Sequence, residues 1–116
     1  MIARANRIVR GDDYRMTVRR GRRSATGNVV VSVVRRSTDA SGPTRFGFIV
    51  AKTVGNAVTR NLVRRRLKAI AHELLQTHPA GFDVVVRALP AAPQATWPTL
   101  LEDVSRSFAR GVEKAA

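Results

Sequence analysis

The chain has 116 residues, of which 44% are apolar and none is cysteine, and its 21 basic and eight acidic side chains give a formal net charge of +13. This length suits one compact domain with a real core and is short for two domains. The lack of cysteine excludes disulfides, thiolate zinc sites and cysteine nucleophiles, and it fits a reducing, cytoplasmic compartment. We expect no membrane association and no secretory signal, because no apolar run approaches the roughly 18 residues of a span and the N-terminus lacks an apolar stretch.

The positive charge is concentrated in the first part of the chain. Residues 1–68 hold 17 basic and three acidic side chains, a net of +14, whereas residues 69–116 have a net of −1. A domain that repels itself in this way usually has a polyanionic partner. Eighteen of the basic residues are arginine, which binds phosphate in a bidentate way and stacks on bases. The composition therefore favours nucleic acid over an anionic membrane or another acidic partner.

The N-terminal part is predicted to contain one short helix. Residues 1–10 are basic and are expected to be extended, and they can stay flexible without a partner. Asp12 and Asp13 can cap a helix from about Tyr14 to Arg20, which Gly21 ends.

Two strands should follow this helix. The apolar, β-branched runs Val29–Arg36 and Arg45–Lys52 predict strands. We expect them to pair as a hairpin across a loop of about eight residues that includes Ser37–Pro43. A further short strand can lie near Ser24–Thr26.

The longest predicted helix follows a Gly55-Asn56 turn. Asn56 is a good N-cap, and the helix should run from about Ala57 to Thr77, where Pro79 and Gly81 enforce its end.

The C-terminal part is predicted to contain one strand and one helix. Phe82–Leu89 reads as the strand and Pro90–Ala95 as a linker, and Thr96 should cap the last helix. An apolar stripe on this helix should dock on the sheet and comprises Trp97, Leu100, Leu101, Val104, Phe108 and Val112.

The element order predicts an α+β fold. It is a single-domain α/β sandwich, with helix, strand, strand, helix, strand and helix in chain order and a small mixed sheet. We expect residues 1–116 to form one RNA-binding domain with a short tail at 114–116.

The long helix has two distinct faces when it is drawn as a wheel. Its core face comprises Val63, Leu67, Ile70 and Leu74, and the basic flank beside it comprises Arg60, Asn61, Arg64, Arg65 and Lys68. Arg66 lies elsewhere, and Val58 and Leu62 should be exposed. A solvated charged face is the ordinary explanation of such a pattern.

Three observations favour a phosphate partner over that explanation. Glu73 is the only acid from Lys52 to Gln76, so the flank lacks acidic partners at i,i+4. Arg60 opposes the helix dipole in the first turn. The Gly55-Asn56 turn leaves backbone N–H groups that suit a phosphate.

These residues resemble a known family. The run Lys52, Gly55, Ala57, Val58, Arg60, Asn61, Arg64 and Arg65 is similar to the signature of the bacterial ribonuclease P protein subunit. The segments "NRIVRGDDY", "RFGFIVAK" and "DVVVRALPAA" extend the resemblance over nearly the whole chain, and Arg87 can be a family position too.

The resemblance implies a function and a topology. In that family the RNA subunit carries out the hydrolysis with bound Mg²⁺, and the protein binds no cofactor of its own. The protein helps the RNA bind precursor tRNA and contacts the 5′ leader in a cleft beside the signature helix. The family also has an unusual left-handed strand-helix-strand crossover, where right-handed is the general rule.

The resemblance also implies site residues. RNA-binding positions are Lys52, Asn56, Arg60, Asn61, Arg64, Arg65, Arg66 and Lys68, and the leader cleft takes Tyr14, Val18, Ser32, Thr53, Ala57 and Arg60. Several positions depart from the family pattern. Tyr14 stands where phenylalanine is common and keeps a stacking face, Val18 and Ser32 replace frequent aromatics, Thr53 replaces a lysine and Leu62 replaces an arginine.

Nothing in the sequence predicts a protein-centred active site. His72 and His78 have no carboxylate at motif spacing, and the eight acids are scattered, whereas phosphoryl transfer by a protein usually needs clustered carboxylates for Mg²⁺. We expect Trp97 and Phe108 in the core, while Phe46 and Phe48 share one strand face that can be core or cleft.

Two other hypotheses stay open from the sequence. One is a ribosomal or other structural RNA-binding protein without a role in tRNA processing. The other is a DNA-binding protein, which is weaker because no helix-turn-helix partner precedes the basic helix.

Overall fold

The structure is a computed structural model that describes residues 2–36 and 41–115. Its strands are β1 (Arg22–Ala25), β2 (Val29–Arg35), β3 (Arg45–Ile49) and β4 (Phe82–Ala88), and its helices are α1 (Gly11–Arg20), α2 (Ala57–Thr77) and α3 (Trp97–Ala115). Short 3-10 turns cover Arg4–Asn6, Lys52–Val54 and Ala92–Gln94. The predicted α+β order is confirmed, including the extra strand near residue 24. β3 ends at Ile49, three residues before the predicted end at Lys52, and Lys52 lies in a 3-10 turn.

The four described strands form one mixed sheet in the order β1-β2-β4-β3. β4 is antiparallel to β2 and parallel to β3. The predicted hairpin between β2 and β3 is therefore wrong, because β4 lies between them. Residues 82–86 are all buried, and a continuous apolar run of this kind is typical of a central strand covered on both faces. The parallel β3–β4 pair requires a crossover, which α2 supplies.

The main core lies on the face of the sheet that α2 and α3 cover. The predicted core face of α2 is confirmed, with Val63, Leu67 and Ile70 buried and Leu74 partly buried against them. Other buried members of this cluster are Val29, Val31, Val33, Phe46, Val84, Val86, Leu100, Val104 and Phe108. Helix α1 contacts β2 and β4 on the opposite face. The sheet is thus the middle layer. Successive side chains of a strand point to opposite faces, so each strand residue packs either against α2 and α3 or against α1.

The predicted bounds of α2 are confirmed. The side chain of Asn56 accepts a hydrogen bond of 2.9 Å from the Thr59 N–H, as an N-cap should. Gly55 before it has φ 155°, a conformation that L side chains rarely adopt. His78 is the C-cap residue, and its N–H donates to the Leu74 carbonyl.

Helix α1 begins earlier than predicted. It starts at Gly11 with Arg10 as N-cap and no side-chain cap, so the predicted capping by Asp12 and Asp13 is wrong. The two carboxylates lie instead in the first turn, where negative charge is favoured by the helix dipole. Gly21 ends the helix as predicted, and its N–H donates to the Thr17 carbonyl.

Helix α3 docks through buried residues that run from Leu100 in its first turn to Gly111 near its C-terminus. Thr96 accepts from the Thr99 N–H at 3.3 Å, so the predicted cap is confirmed. Phe108 is buried as expected, but Trp97 is 38% exposed, and its predicted place in the core is wrong. The helix approaches the sheet closely at Gly111, where a Cβ would lie 2.9 Å from that of Val33. Trp97 stands at the other end of the helix, at its first residue.

The N-terminal segment covers the outer edge of β3. Arg7 bridges Phe46 in parallel, and the Ile8 N–H donates to the Phe46 carbonyl at 2.9 Å. Ile2 and Ile8 are buried. Pairing of this kind removes the free hydrogen-bonding groups of an edge strand.

Candidate nucleic-acid interface

The basic flank of α2, defined as Arg60, Asn61, Arg64, Arg65 and Lys68, has no acidic partner in the part of the chain that the structure describes. Arg60, Arg64 and Lys68 are half-buried, and Asn61 and Arg65 are exposed. Within residues 2–36 and 41–115, none of the ion pairs involves a side chain of this flank. The flank is therefore a continuous positive surface beside the core face.

Neutral acceptors hold one of these arginines in place. Arg64 donates to the side-chain oxygen of Asn61 at 3.1 Å and to the Val50 carbonyl at 3.5 Å. Arg60 has a buried Nε atom with no hydrogen-bond partner in the described chain. A buried donor without an acceptor carries a desolvation penalty. An anion at this flank would supply the missing acceptor.

The turn before α2 places further donors beside the flank. Lys52 and Thr53 are exposed in their 3-10 turn. The Gly55 N–H donates to the Lys52 carbonyl, and the Thr59 N–H donates to the side-chain oxygen of Asn56. No described group accepts from the N–H groups of Ala57 and Val58, which lie where a helix N-terminus favours an anion.

Arg66 and the apolar residues of α2 lie away from this flank. Arg66 donates to the Ala95 carbonyl at 3.3 Å, which directs it towards the start of α3. Val58 is 79% and Leu62 is 42% exposed, as predicted. Arg66 thus faces a different surface from the other predicted RNA-binding residues.

A cleft lies between α1 and the sheet. Its larger part is a cavity of about 710 Å³ whose lining includes Tyr14, Val18, Ile49 and Arg87. A smaller cavity of about 200 Å³ shares Val18 and Arg87 and adds Arg23, Val30, Ser32 and Val85. The apolar residues of the two linings include Val18, Val30, Ile49 and Val85. They are bordered by the carboxylates of Asp12 and Asp13 and by five guanidinium groups, those of Arg15, Arg19, Arg20, Arg23 and Arg87. Apolar surface beside guanidinium groups suits the base and phosphate of a single strand.

Tyr14 packs on β3 at Gly47, a residue that has no side chain. A Cβ at Gly47 would lie 2.6 Å from the Tyr14 Cζ, so the ring can rest on the strand only because residue 47 is glycine. The Phe48 N–H donates to the Tyr14 hydroxyl at 3.3 Å. Phe48 is half-buried, whereas Phe46 packs in the core 5.8 Å from Phe108. The strand face that the sequence left undecided is thus core at Phe46 and a rim at Phe48.

An ion-pair network fixes α1 to the same side of the sheet. Arg45 donates to both carboxylate oxygens of buried Asp83, at 2.9 and 2.7 Å, and lies 3.6 Å from Asp13 of α1. The hydrogen bonds with Asp83, more than the attraction of Asp13, raise the pKa of the Arg45 guanidinium. The position of the cleft wall is therefore tied to a residue of the central strand.

The structure brings together some of the predicted cleft residues. Tyr14, Val18 and Ser32 line the cleft. Outside both linings, Thr53 lies in the 3-10 turn before α2, and Ala57 and Arg60 lie in the first turn of α2.

Ile49, Arg23 and Arg87 belong to the cleft and were not predicted as site residues. The sequence did contain a signal for Arg87, because it is the one basic residue in the apolar run of β4, and the structure shows it as the one exposed residue of that strand.

No cluster of possible metal ligands is assembled in the described residues. No three His, Asp or Glu side chains among residues 2–36 and 41–115 come together as metal ligands would. His72 is exposed, and the ring of His78 packs edge-on against Phe82 and Phe108. Within the same ranges no helix is long and apolar enough to cross a membrane.

The unpaired basic flank and the cleft beside it define a nucleic-acid-binding α+β protein. The model of the ribonuclease P family matches residues 2–111. The ribonuclease P protein component of Clavibacter michiganensis subsp. michiganensis is 54% identical over 112 residues, 97% of each chain. That of Kocuria rhizophila is 46% identical over the full length of both chains.

Solved structures agree with this result at the level of the fold. The RNase P protein of Staphylococcus aureus superposes with a TM-score of 0.78 at 24% identity, over 91% of this chain and 94% of that one. The Thermotoga maritima protein gives 0.75 at 23% identity, over 90% and 96%. The chain belongs to the ribonuclease P protein family. It is a component of a tRNA-processing ribonucleoprotein, and its partners are the ribonuclease P RNA and precursor tRNA. The structural-protein alternative has no support in these relatives.

Proposed function

We propose that the chain binds the ribonuclease P RNA through the basic flank of α2 and holds the 5′ leader of precursor tRNA in the cleft between α1 and the sheet. The observation that carries this division is the unpaired flank, whose charges have no carboxylate partner in the described chain. Phosphates would neutralise those charges and accept from the Arg60 Nε atom. Lys52, Asn56 and the first N–H groups of α2 extend the same surface.

The leader is held in the cleft mainly by apolar contact and charge. Tyr14 offers the one aromatic ring among the cleft residues, while Val18, Val30 and Ser32 form a smooth floor. Arg87 and Arg23 stand over that floor and can pair with phosphate or stack on a base. Thr53, Ala57 and Arg60 contact the strand where it passes from the cleft towards α2.

Hydrolysis of the leader is assigned to the RNA. Phosphoryl transfer needs metal ions and positioned ligands, and the carboxylates of the described residues do not converge on one point. Mg²⁺ would supply the nucleophile and charge stabilisation while bound to the RNA. The protein orients substrate and offsets phosphate repulsion. We place this activity in the cytoplasm, where precursor tRNA is processed.

A reconstitution tests the proposal. The purified protein is mixed with ribonuclease P RNA and precursor tRNA at low Mg²⁺, with RNA alone as the reference. We expect the leader to be removed faster with protein, because the basic flank replaces part of the Mg²⁺ that screens phosphate repulsion. A rate equal to that of the RNA alone would contradict the proposal.

A matched substrate separates the two surfaces. A precursor with a one-nucleotide leader retains every contact except those in the cleft. We expect the protein to improve binding of the long-leader substrate more than that of the short one. Equal improvement would place the leader outside the cleft.

A further inference from the structure

Helix α1 forms one wall of the leader cleft, the cleft between α1 and the sheet, yet little apolar surface fixes it there. Among residues Gly11–Arg20, which the structure describes in full, Thr17 is the one fully buried side chain. Its hydroxyl donates to the Asp13 carbonyl of the same helix at 2.8 Å, so it adds no bond to the sheet. Tyr14 and Val18 are only half-buried. The position of a helix that buries so little depends on its specific polar contacts.

The guanidinium of Arg45 reaches α1 from the sheet in a fixed orientation. Arg45 of β3 and Asp83 of β4 are register partners, so their side chains leave the sheet on the same face. The Nε and Nη2 atoms donate to the two carboxylate oxygens of Asp83, at 2.9 and 2.7 Å. This bidentate pair leaves Nη1 for α1, where it lies 3.6 Å from the carboxylate of Asp13. Asp13 therefore meets a cation whose place is set by the central strand.

The ion pair at Asp13 is the charged anchor of α1. Within residues 2–36 and 41–115, Asp13–Arg45 is the one ion pair that joins this helix to the sheet. The neighbouring Tyr14 hydroxyl accepts from the Phe48 N–H at 3.3 Å, a long bond for this pair of atoms. At the other end of the helix, Gly21 packs closely on β2. Loss of the ion pair would therefore loosen the N-terminal half of the cleft wall first.

We propose that Asp13 is a positioning residue for the 5′ leader. Its ion pair with Arg45 holds the start of α1 at one distance from β3, and that distance sets the width of the leader cleft. A strand is bound well only when the groups of both walls are held in place to meet it. Asp13 acts in this way through α1 and not by contact with the leader. The inference rests on the proposed function, because it takes the leader as the occupant of the cleft.

The negative charge of Asp13 distinguishes this role from simple electrostatics. Asp12 and Asp13 both line the cleft, and a carboxylate there repels the phosphates of a leader. Removal of either charge would therefore strengthen leader binding if repulsion were the whole effect. Asp12 is paired with the exposed Arg15 of its own helix and not with the sheet, so it is a matched control from the same helical turn.

Asp13→Asn and Asp12→Asn are compared in the assembled ribonucleoprotein. Affinity is measured for precursor tRNA with a long leader and with a one-nucleotide leader, and the ratio of the two affinities is the leader-dependent gain. We expect Asp13→Asn to reduce this gain about fivefold, near the upper end of what an ion pair of this exposure contributes, and to leave the short-leader affinity unchanged. Asp12→Asn should keep or increase the gain. A gain that Asp13→Asn keeps or increases would overturn the inference.

A merely destabilised helix predicts a different pattern. Partial unfolding lowers the active fraction of the protein, so it weakens binding of both substrates and of the ribonuclease P RNA, and an excess of protein corrects it. Loss of positioning persists at saturating protein. It raises KM for the long-leader substrate while kcat stays near that of the wild type. A fall in kcat without a change in KM would contradict the proposal.

Two further variants test the ion pair itself. Asp13→Glu keeps the charge and should recover most of the leader-dependent gain. Arg45→Lys keeps a charge beside buried Asp83 but lacks the planar fork that serves both carboxylates, so it should reduce the gain as Asp13→Asn does. The double variant should be no worse than either single one, because both changes remove one contact. Additive losses would show that the two residues act separately.

The distance between α1 and the rest of the fold provides a measurement without RNA. The chain has no cysteine, so spin labels can be attached at Met16→Cys on α1 and Ala109→Cys on α3, both of which are exposed positions. We expect Asp13→Asn to shift or broaden the distance distribution and Asp12→Asn to leave it unchanged. An unchanged distribution in Asp13→Asn would refute the positioning role alone. A wild type without any leader-dependent gain would instead refute the proposed function.

Discussion

Gly47 shows how one absent side chain shapes the site. Tyr14 lies over this residue and its hydroxyl accepts from the next N–H of the edge strand. The ring therefore borders the leader cleft on one side and, on the other, a smaller cavity between the N-terminal segment, β3 and α2. From the sequence alone, Gly47 is a glycine that weakens the strand in which it lies. Only the packing of the Tyr14 ring against it explains why this position holds a glycine.

Gly47→Ala should destabilise the protein by about 1–3 kcal/mol, the usual cost of overpacking. The new methyl group would occupy the space of the Tyr14 ring, so the ring and its hydrogen bond to Phe48 must move. Urea denaturation measures the change. In a Tyr14→Ala background the same substitution should cost much less, because the clash is gone. An equal cost in both backgrounds would show that Tyr14 is not the obstacle.

Helix α2 combines two tasks at the scale of an element. One side buries Val63, Leu67 and Ile70 against the sheet, and the adjoining flank carries charges that form no ion pair within the described residues. The N-cap at Asn56 offsets part of the cost of placing Arg60 in the first turn. Packing against the sheet holds the helix in place, so the flank can bind RNA without a role in holding the fold.

Arg65→Ala and Arg60→Ala should therefore separate binding from folding. Arg65 is exposed, and surface substitutions of this kind usually change stability by less than about 0.5 kcal/mol. We expect RNA affinity or leader cleavage to fall while the thermal melt stays near that of the wild type. Arg110→Ala on α3 is the control for loss of one positive charge. A lowered melt that accounts for the loss would mean that the flank is structural.

The charge of the whole molecule is what distinguishes it from an ordinary α+β domain. A formal charge of +13 on 116 residues raises the free energy of the compact state through self-repulsion. Bound RNA would remove that repulsion and so stabilise the folded chain. Charge at this scale sets the affinity for RNA, and the cleft sets the position of the bound strand.

Affinity for RNA should fall steeply as salt rises. If the protein contacts about five phosphates, log affinity should decrease by about 3.5 for each unit of log salt, on the single-strand relation. Binding is measured across a salt series at constant Mg²⁺. A flat response would contradict the electrostatic interface. A slope in Arg110→Ala equal to that of the wild type would indicate that Arg110 on α3 contacts no phosphate, whereas a slope lower by about 0.7 would place it in the interface.

Local patterns were sufficient for most elements and for the basic flank. The bounds of α2, its cap and its core face could be read from the sequence because helix periodicity and capping act within a few residues. The strand partners could not be read, since β2 and β3 are neighbours in sequence and not in the sheet. The continuous apolar run of β4 indicated a central strand, and the hairpin prediction overlooked it.

The sequence by itself determined the fold class, the partner class and the family, because composition, periodicity and a spaced signature are properties of the chain alone. Tertiary structure decided which residues meet. Arg87 lines the cleft together with Val18, and Arg7 lies beside Arg64 and Lys68. Trp97 is 38% exposed and lies outside the core. The physical reason is that strand order and close approach at Gly47 and Gly111 depend on packing between distant segments, which no local pattern records.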